Sequence, residues 1–257
     1  MLSFAHEGAR PDFGIPSFSP QTFIISSFLL TLILEPGMLL LAHRGYHADA
    51  PENTMAAFEA ATKIGVDGIE TDVRLSADGK TVIIHDRVSP KKRAVAELTH
   101  RDLESDCGHA VPLLAEILDA FPDVLWNIEI KNPEAWPAAM PVLRRFQRTR
   151  RLLVTSFRHD VVWQCADELG VECGLLLAHR PLDVMGIIAG CAARPRIKGI
   201  VWDYSIVDDS VLRIVSAAGW TNYVYGAATS AEHRRCTALG LAGLITDFPR
   251  LTTGGDA

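Results

Sequence analysis

The sequence predicts an α/β fold, a TIM (β/α)8 barrel with an extra antiparallel hairpin strand after strand two. Eight short runs rich in Val, Ile and Leu follow residue 38 and alternate with amphipathic stretches, the pattern of βα units wound into a parallel sheet. The dipeptide Asp78-Gly79, a strong hairpin-turn signal, breaks that rhythm once. A chain of 257 residues with 48% hydrophobic content is long enough for one such barrel.

The strand runs are residues 39–42, 68–73, 125–130, 152–156, 173–177, 199–202, 222–225 and 243–246. Helical patterns separate most of them. Residues 54–64 read as a helix with Asn53 as N-cap and Gly65 as its stop, and residues 208–218 as one ending at Gly219. After the second strand, the Asp78-Gly79 turn folds residues 81–84 back antiparallel, which brings His85 toward Glu70 and Asp72. Residues 87–110 are polar and read as an irregular loop over one rim. Residues 248–257 are too short and too rich in Gly and Thr to predict a closing helix.

Residues 1–37 stand apart from this pattern. Residues 23–34 form an apolar run of twelve, shorter than the roughly 20 residues a membrane-spanning helix needs. His6, Glu7, Arg10 and Asp12 precede it where a signal peptide would carry a basic cluster, and no small-residue cleavage site follows. Glu35-Pro36-Gly37 ends the run, and Met38 stands directly before the first strand. The expected organisation is an N-terminal extension over 1–37, a native product that begins at Met38, and the barrel over 38–257.

A net charge of −6 leaves no electrostatic footprint for nucleic acid or for an anionic membrane surface, although local cations could still hold a small anionic substrate, and neither nucleic-acid binding nor stable membrane insertion is expected. The five cysteines, Cys107, Cys165, Cys173, Cys191 and Cys236, show neither a CxxC pair nor metal-ligand spacing with histidine. They are expected to be reduced, mostly buried thiols in a cytoplasmic protein.

Two strands carry acids where a barrel should carry apolar residues. Side chains alternate along a strand, so Glu70 and Asp72 share one face opposite Ile69, Thr71 and Val73, and Glu129 shares one with Lys131 opposite Ile128 and Ile130. Burying such groups costs several kcal/mol each unless they are paired or bind a cation. Barrel active sites sit at the C-terminal strand ends. His43 and Arg44 end the first strand, Glu70 and Asp72 the second, Glu129 and Lys131 the third, and His85 closes the hairpin. Three carboxylates form an oxygen-rich set suited to Mg²⁺ or Ca²⁺. Arg44 and Lys131 can neutralise an anion beside the cation, and His43 and His85 can pass protons. Phosphodiester cleavage is the reaction this assembly fits.

His43-Arg44-Gly45, Pro51-Glu52-Asn53-Thr54, Glu70-x-Asp72, His85-Asp86 and Glu129-x-Lys131 stand in the order and approximate spacing of the glycerophosphodiester phosphodiesterase family. Ser156-Phe157 and Thr246-Asp247-x-Pro249 extend the likeness, so the chain resembles that family over most of residues 38–251. The resemblance implies a metal-dependent hydrolase that turns a glycerophosphodiester and water into glycerol 3-phosphate and an alcohol. It implies that His43 and His85 form the general acid/base pair, that Arg44 and Lys131 hold the phosphate, and that Glu70, Asp72 and Glu129 bind the metal. Glu52 either shapes the site or simply favours a helix N-terminus.

Family members often carry Trp-Thr-Val-Asn at the end of strand seven, where this chain reads Tyr225-Gly226-Ala227-Ala228. Tyr225 is expected to contact substrate through an aromatic wall and a hydroxyl, while nothing at Ala228 replaces the carboxamide. The segment between strands two and three reads as short, which leaves the mouth open to a larger leaving alcohol. Two alternatives therefore stand: a lysophospholipase D or sphingomyelinase D-like phosphodiesterase, and a non-catalytic phosphodiester-binding barrel. The intact histidine pair and all three acids weigh against the second.

Overall fold

The computed structural model describes residues 37–253. The reading of residues 1–37 as an extension that ends before Met38 falls, except for Gly37, outside them. The strands in chain order are β1 (Leu39–His43), β2 (Gly68–Leu75), β3 (Thr81–Ile83), β4 (Leu125–Ile130), β5 (Arg151–Ser156), β6 (Glu172–Leu177), β7 (Ile197–Asp203), β8 (Thr221–Tyr225) and β9 (Gly243–Thr246). All but β3 pair in parallel, and the β1–β2 and β1–β9 pairings close them into a barrel of eight. β3 lies antiparallel on the end of β2, with Val73 opposite Ile83, so the predicted hairpin is present.

The barrel interior is filled by Leu41, Leu125, Leu153, Leu176, Val201, Tyr223 and Ile245. Several of these stand two residues before a cavity residue on the same strand face: Leu41 before His43, Leu125 before Asn127, Tyr223 before Tyr225. The apolar layer therefore forms the floor on which the polar layer rests. Gly68 makes room for it, because a Cβ there would stand 2.6 Å from the Leu125 carbonyl oxygen. The opposite strand faces pack outward, where Ile69, Val73, Ile128 and Ile130 join Phe58 and Trp126. Trp126 is fully buried, edge-on to Phe58 at 5.2 Å, and donates Nε1–H to the Phe121 carbonyl at 3.1 Å.

The helices are α1 (Met55–Lys63), α2 (His100–Cys107), α3 (Leu114–Ala120), α4 (Trp136–Phe146), α5 (His159–Glu168), α6 (Val184–Gly190), α7 (Asp209–Ala217), α8 (Ser230–Ala238) and α9 (Arg250–Thr253). The N-cap of α1 is Thr54, not Asn53. Thr54 Oγ1 accepts from Ala57 N at 3.3 Å, whereas the Asn53 side chain is drawn into the barrel end. A single helical turn, α9, does follow β9. No helix among the described residues is long and apolar enough to cross a membrane. All five cysteines are free, and all but Cys107 are buried.

Residues 87–110 are not an irregular loop. They contain a 3₁₀ turn (Val95–Glu97) and α2, and close over a small core of Val82, Val95, Leu98, Leu103 and Val111. These apolar residues are too widely spaced to show a period in sequence. Asp106 ties the segment together: it accepts from Ser89 Oγ at 2.7 Å and Arg93 Nε at 2.9 Å, and also pairs with Arg93 Nη2.

The Arg93 hydrogen bonds hold the Asp106 carboxyl well below the usual carboxylate range. A depressed folded-state pKa stabilises above the unfolded value of about 3.9 and is lost as pH falls toward the folded value. Asp106→Asn should therefore lower the melting temperature at neutral pH and flatten the acid limb of stability below about pH 4. Thermal melts of both proteins across an acid series check this, and parallel curves would remove Asp106 from the role.

Candidate active site

A cavity of about 210 Å³ opens at the C-terminal ends of the strands. His43, Arg44, Glu70, His85, Glu129, Lys131 and Tyr225 line it, together with Asn127, Thr155, Phe157, Leu176 and Ile245. Asp72, the remaining residue singled out in sequence, is 1% exposed and packed against Lys131 and Arg44.

Strand pairing builds the acidic centre. Asp72 stands opposite Glu129 across β2 and β4, with Glu70 two pairs below on the same face, opposite Asn127. Oxygens of Glu70, Asp72 and Glu129 all lie within 4.8 Å of one another. Lys131 Nζ is 2.8 Å from Glu129 Oε1 and 3.2 Å from Asp72 Oδ1, and Arg44 Nε is 3.4 Å from Asp72 Oδ2. Burial, then the charges of Asp72 and Glu129, push the Glu70 carboxyl well above its ordinary pKa. Burial raises Glu129 as well, with Lys131 opposing. Burial also works to raise Asp72, but Lys131 and Arg44 outweigh it and hold that carboxyl below its usual range. In Lys131 burial opposes the charge, and Asp72 and Glu129 more than offset it.

The turn after β1 aims Arg44. Arg44 adopts φ +56° and donates its backbone N–H to the Glu70 carbonyl at 2.9 Å and to Glu70 Oε2 at 3.2 Å. Gly45 continues the turn at φ +81°, and a Cβ there would meet the Ala57 backbone at 2.8 Å. Glu52 grips the guanidinium, accepting from Arg44 Nη1 through both oxygens at 2.9 Å. It thus orients Arg44 rather than merely preceding a helix.

Asn53, left-handed at φ +57° and 3% exposed, donates its amide to Asp72 Oδ2 at 2.8 Å and accepts from Thr71 Oγ1 at 2.6 Å. Sequence reading assigned it only a cap. Its partner is the buried acid on the next strand, β2, which periodicity does not report.

Each histidine has a carboxylate on Nδ1. His85 donates to Asp86 at 2.9 Å, which leaves Nε2 as its available nitrogen. His43 donates to Asp247 Oδ1 at 2.7 Å, and its Nε2 faces Glu70 Oε2 at 3.7 Å. His47 reaches the same Asp247 oxygen at 3.0 Å, and that hydrogen bond raises the His47 pKa. On the far rim Tyr225 meets Phe157 edge-to-face at 6.1 Å. Burial and then Asp203 raise the Tyr225 phenol, so it stays protonated and able to donate. Four buried side-chain polar atoms lack a hydrogen-bond partner among the described residues, and three belong here: Arg44 Nε, Asp72 Oδ1 and Asn127 Nδ2.

The arrangement can bind a hard cation through carboxylate oxygens, hold an anion between Arg44 and Lys131, and present two imidazoles to it.

A sequence profile of the glycerophosphoryl diester phosphodiesterase family matches residues 43–251. A glycerophosphodiester phosphodiesterase of Bacillus altitudinis is 30% identical over 236 residues, covering 82% of this chain and 94% of its own. The crystal structure of a glycerophosphodiester phosphodiesterase from Thermotoga maritima superposes with a TM-score of 0.73 at 27% identity, covering 84% and 97% of the two chains. An Oleispira antarctica phosphodiesterase, solved with the product sn-glycerol-3-phosphate, gives 0.74 at 20% identity over 84% and 95%, and adds support for the fold alone.

Asn53→Ala should destabilise the fold by about 2 to 4 kcal/mol, since it strips a hydrogen bond from a buried carboxylate and from a buried hydroxyl at once. Urea unfolding measures it. A loss under about 1 kcal/mol would mean that Asp72 and Thr71 find other partners.

Proposed function

The chain belongs to the glycerophosphoryl diester phosphodiesterase family, and from that membership we propose that it hydrolyses a glycerophosphodiester to glycerol 3-phosphate and an alcohol with a divalent cation. One observation carries this reading: three buried carboxylates, two histidines and two cationic side chains meet at one barrel end, beside a buried Asn127 Nδ2 that has no hydrogen-bond partner among the described residues. An unsatisfied group of this kind points to a ligand that completes it. We assign the catalytic unit to residues 38–257, with 1–37 as an extension outside it. The five free cysteines support a cytoplasmic setting.

Glu70, Asp72 and Glu129 fit Mg²⁺ or Ca²⁺, because every donor is a carboxylate oxygen and the three lie within 4.8 Å of one another. When bound, such a cation supplies positive charge at the phosphoryl oxygens. Arg44 and Lys131 supply further donors to those oxygens and hold the phosphate in line with the histidines.

His85 suits the role of base. Burial depresses its pKa, with Lys131 reinforcing and Asp72 opposing, so its neutral form is favoured. It takes a proton from the attacking water as the new P–O bond forms. His43 returns a proton to the alcohol oxygen as the old P–O bond breaks, and Asp247 stabilises the charged imidazole before that transfer. Tyr225, with Phe157, walls the substrate's organic arm.

Glycerophosphocholine or glycerophosphoethanolamine incubated with the protein and Mg²⁺ or Ca²⁺ should release glycerol 3-phosphate in a coupled assay, and EDTA should abolish release. His43→Ala and Glu129→Gln should each lower turnover by at least about 100-fold. Release that survives EDTA would overturn the metal assignment, and near-normal rates in either variant would overturn its residue's role. Activity confined to micellar lysolipid would transfer the protein to the lysophospholipase D reading.

A further inference from the structure

We infer that Asp247 and His47 form a clamp that holds His43 in one tautomer and one orientation, and that both are positioning residues for the reaction. The inference rests on the acid/base role proposed for His43.

Asp247 Oδ1 lies 2.7 Å from His43 Nδ1 and 3.0 Å from His47 Nε2. A carboxylate oxygen only accepts, so both nitrogens must carry hydrogen. His43 is thereby fixed as the Nδ1–H form, with Nε2 turned to Glu70 and the cavity. The His43 side chain is 23% exposed, so packing alone does not lock its ring.

The clamp is itself held. β1 and β9 pair side by side, Ala42 opposite Thr246, which sets residues 43 and 247 next to each other one step beyond the last pair. Thr246 Oγ1 accepts from Phe248 N at 2.9 Å, fixing the turn that carries Asp247. The same hydroxyl donates to His233 Nε2 at 2.8 Å, because His233 Nδ1 is committed to the Thr229 carbonyl at 2.9 Å. The Asp247 side chain is 41% exposed, and His47 supplies from the β1–α1 loop the second donor that keeps its oxygen in place. The arrangement repeats the general logic by which a carboxylate orients a working imidazole.

The test uses full-length protein with ¹⁵N-labelled histidine. Long-range ¹H–¹⁵N correlation above the histidine titration range should show His43, assigned by comparison with His43→Gln, as the Nδ1–H tautomer. Asp247→Ala should lose that signature and lower kcat by about 10- to 100-fold, the range for removing a group that orients a working side chain, with KM little changed. His47→Ala should lose about tenfold, the low end of that range, and His47→Gln, whose amide can donate to Asp247, should restore most of it.

An unchanged His43 spectrum and kcat in Asp247→Ala would overturn the clamp, as would His47→Gln behaving like His47→Ala. If Asp247→Ala folds poorly, the two His47 variants carry the same test. Wild-type turnover in His43→Ala would instead overturn the acid/base reading on which the clamp rests, whereas the nitrogen spectrum reports the clamp without turnover.

Discussion

The rest of the site depends on the cost of holding three carboxylates within 4.8 Å of one another inside a protein. Unpaired, each would cost several kcal/mol. Lys131 touches two of them and Arg44 a third contact on Asp72, and Asn53 spends its amide on the same group. That compensation is incomplete: burial and the neighbouring acids still drive Glu70 toward its neutral form. A folded core tolerates such a deficit where a ligand completes it, and the three carboxylates offer the oxygen donors that a divalent cation takes.

The barrel supplies what this cluster needs. Its floor is a dry layer, Leu41, Leu125, Leu153 and Tyr223 among others, that excludes water from beneath the acids and so strengthens every charge interaction above it. The strained segment after β1 adds Arg44 at short range, with Arg44 and Asn53 both in left-handed conformation and Gly45 fitting where a Cβ would strike Ala57. Closure of β1 on β9 then brings Asp247 to His43 across a sequence separation of 204 residues. Floor, turn and closure are three separate consequences of one topology.

Much of this was legible in the chain. The eight strands and the Asp78-Gly79 hairpin were readable because each leaves a local mark, a run of branched apolar residues or a turn dipeptide. The acid faces of β2 and β4 were readable because alternation in a strand is strict. Residues 87–110 were not, since Leu98, Leu103 and Val111 close a core only after the segment has folded over β3. Asn53 was read as a cap because its own neighbours look like a helix start. Its partners, Thr71 and Asp72, lie on another element.

The amino-acid sequence by itself determined the fold class, the rim on which chemistry sits and the residue types gathered there, since these follow from periodicity and from spacing along single strands. Only the tertiary structure decided how those residues are held: Glu52 on Arg44, Asn53 on Asp72, and Asp247 between His43 and His47. The physical reason is that a side chain's place on a strand face is a local property of the backbone. Its hydrogen-bond partner is set by which distant strand end the closed barrel brings within 3 Å.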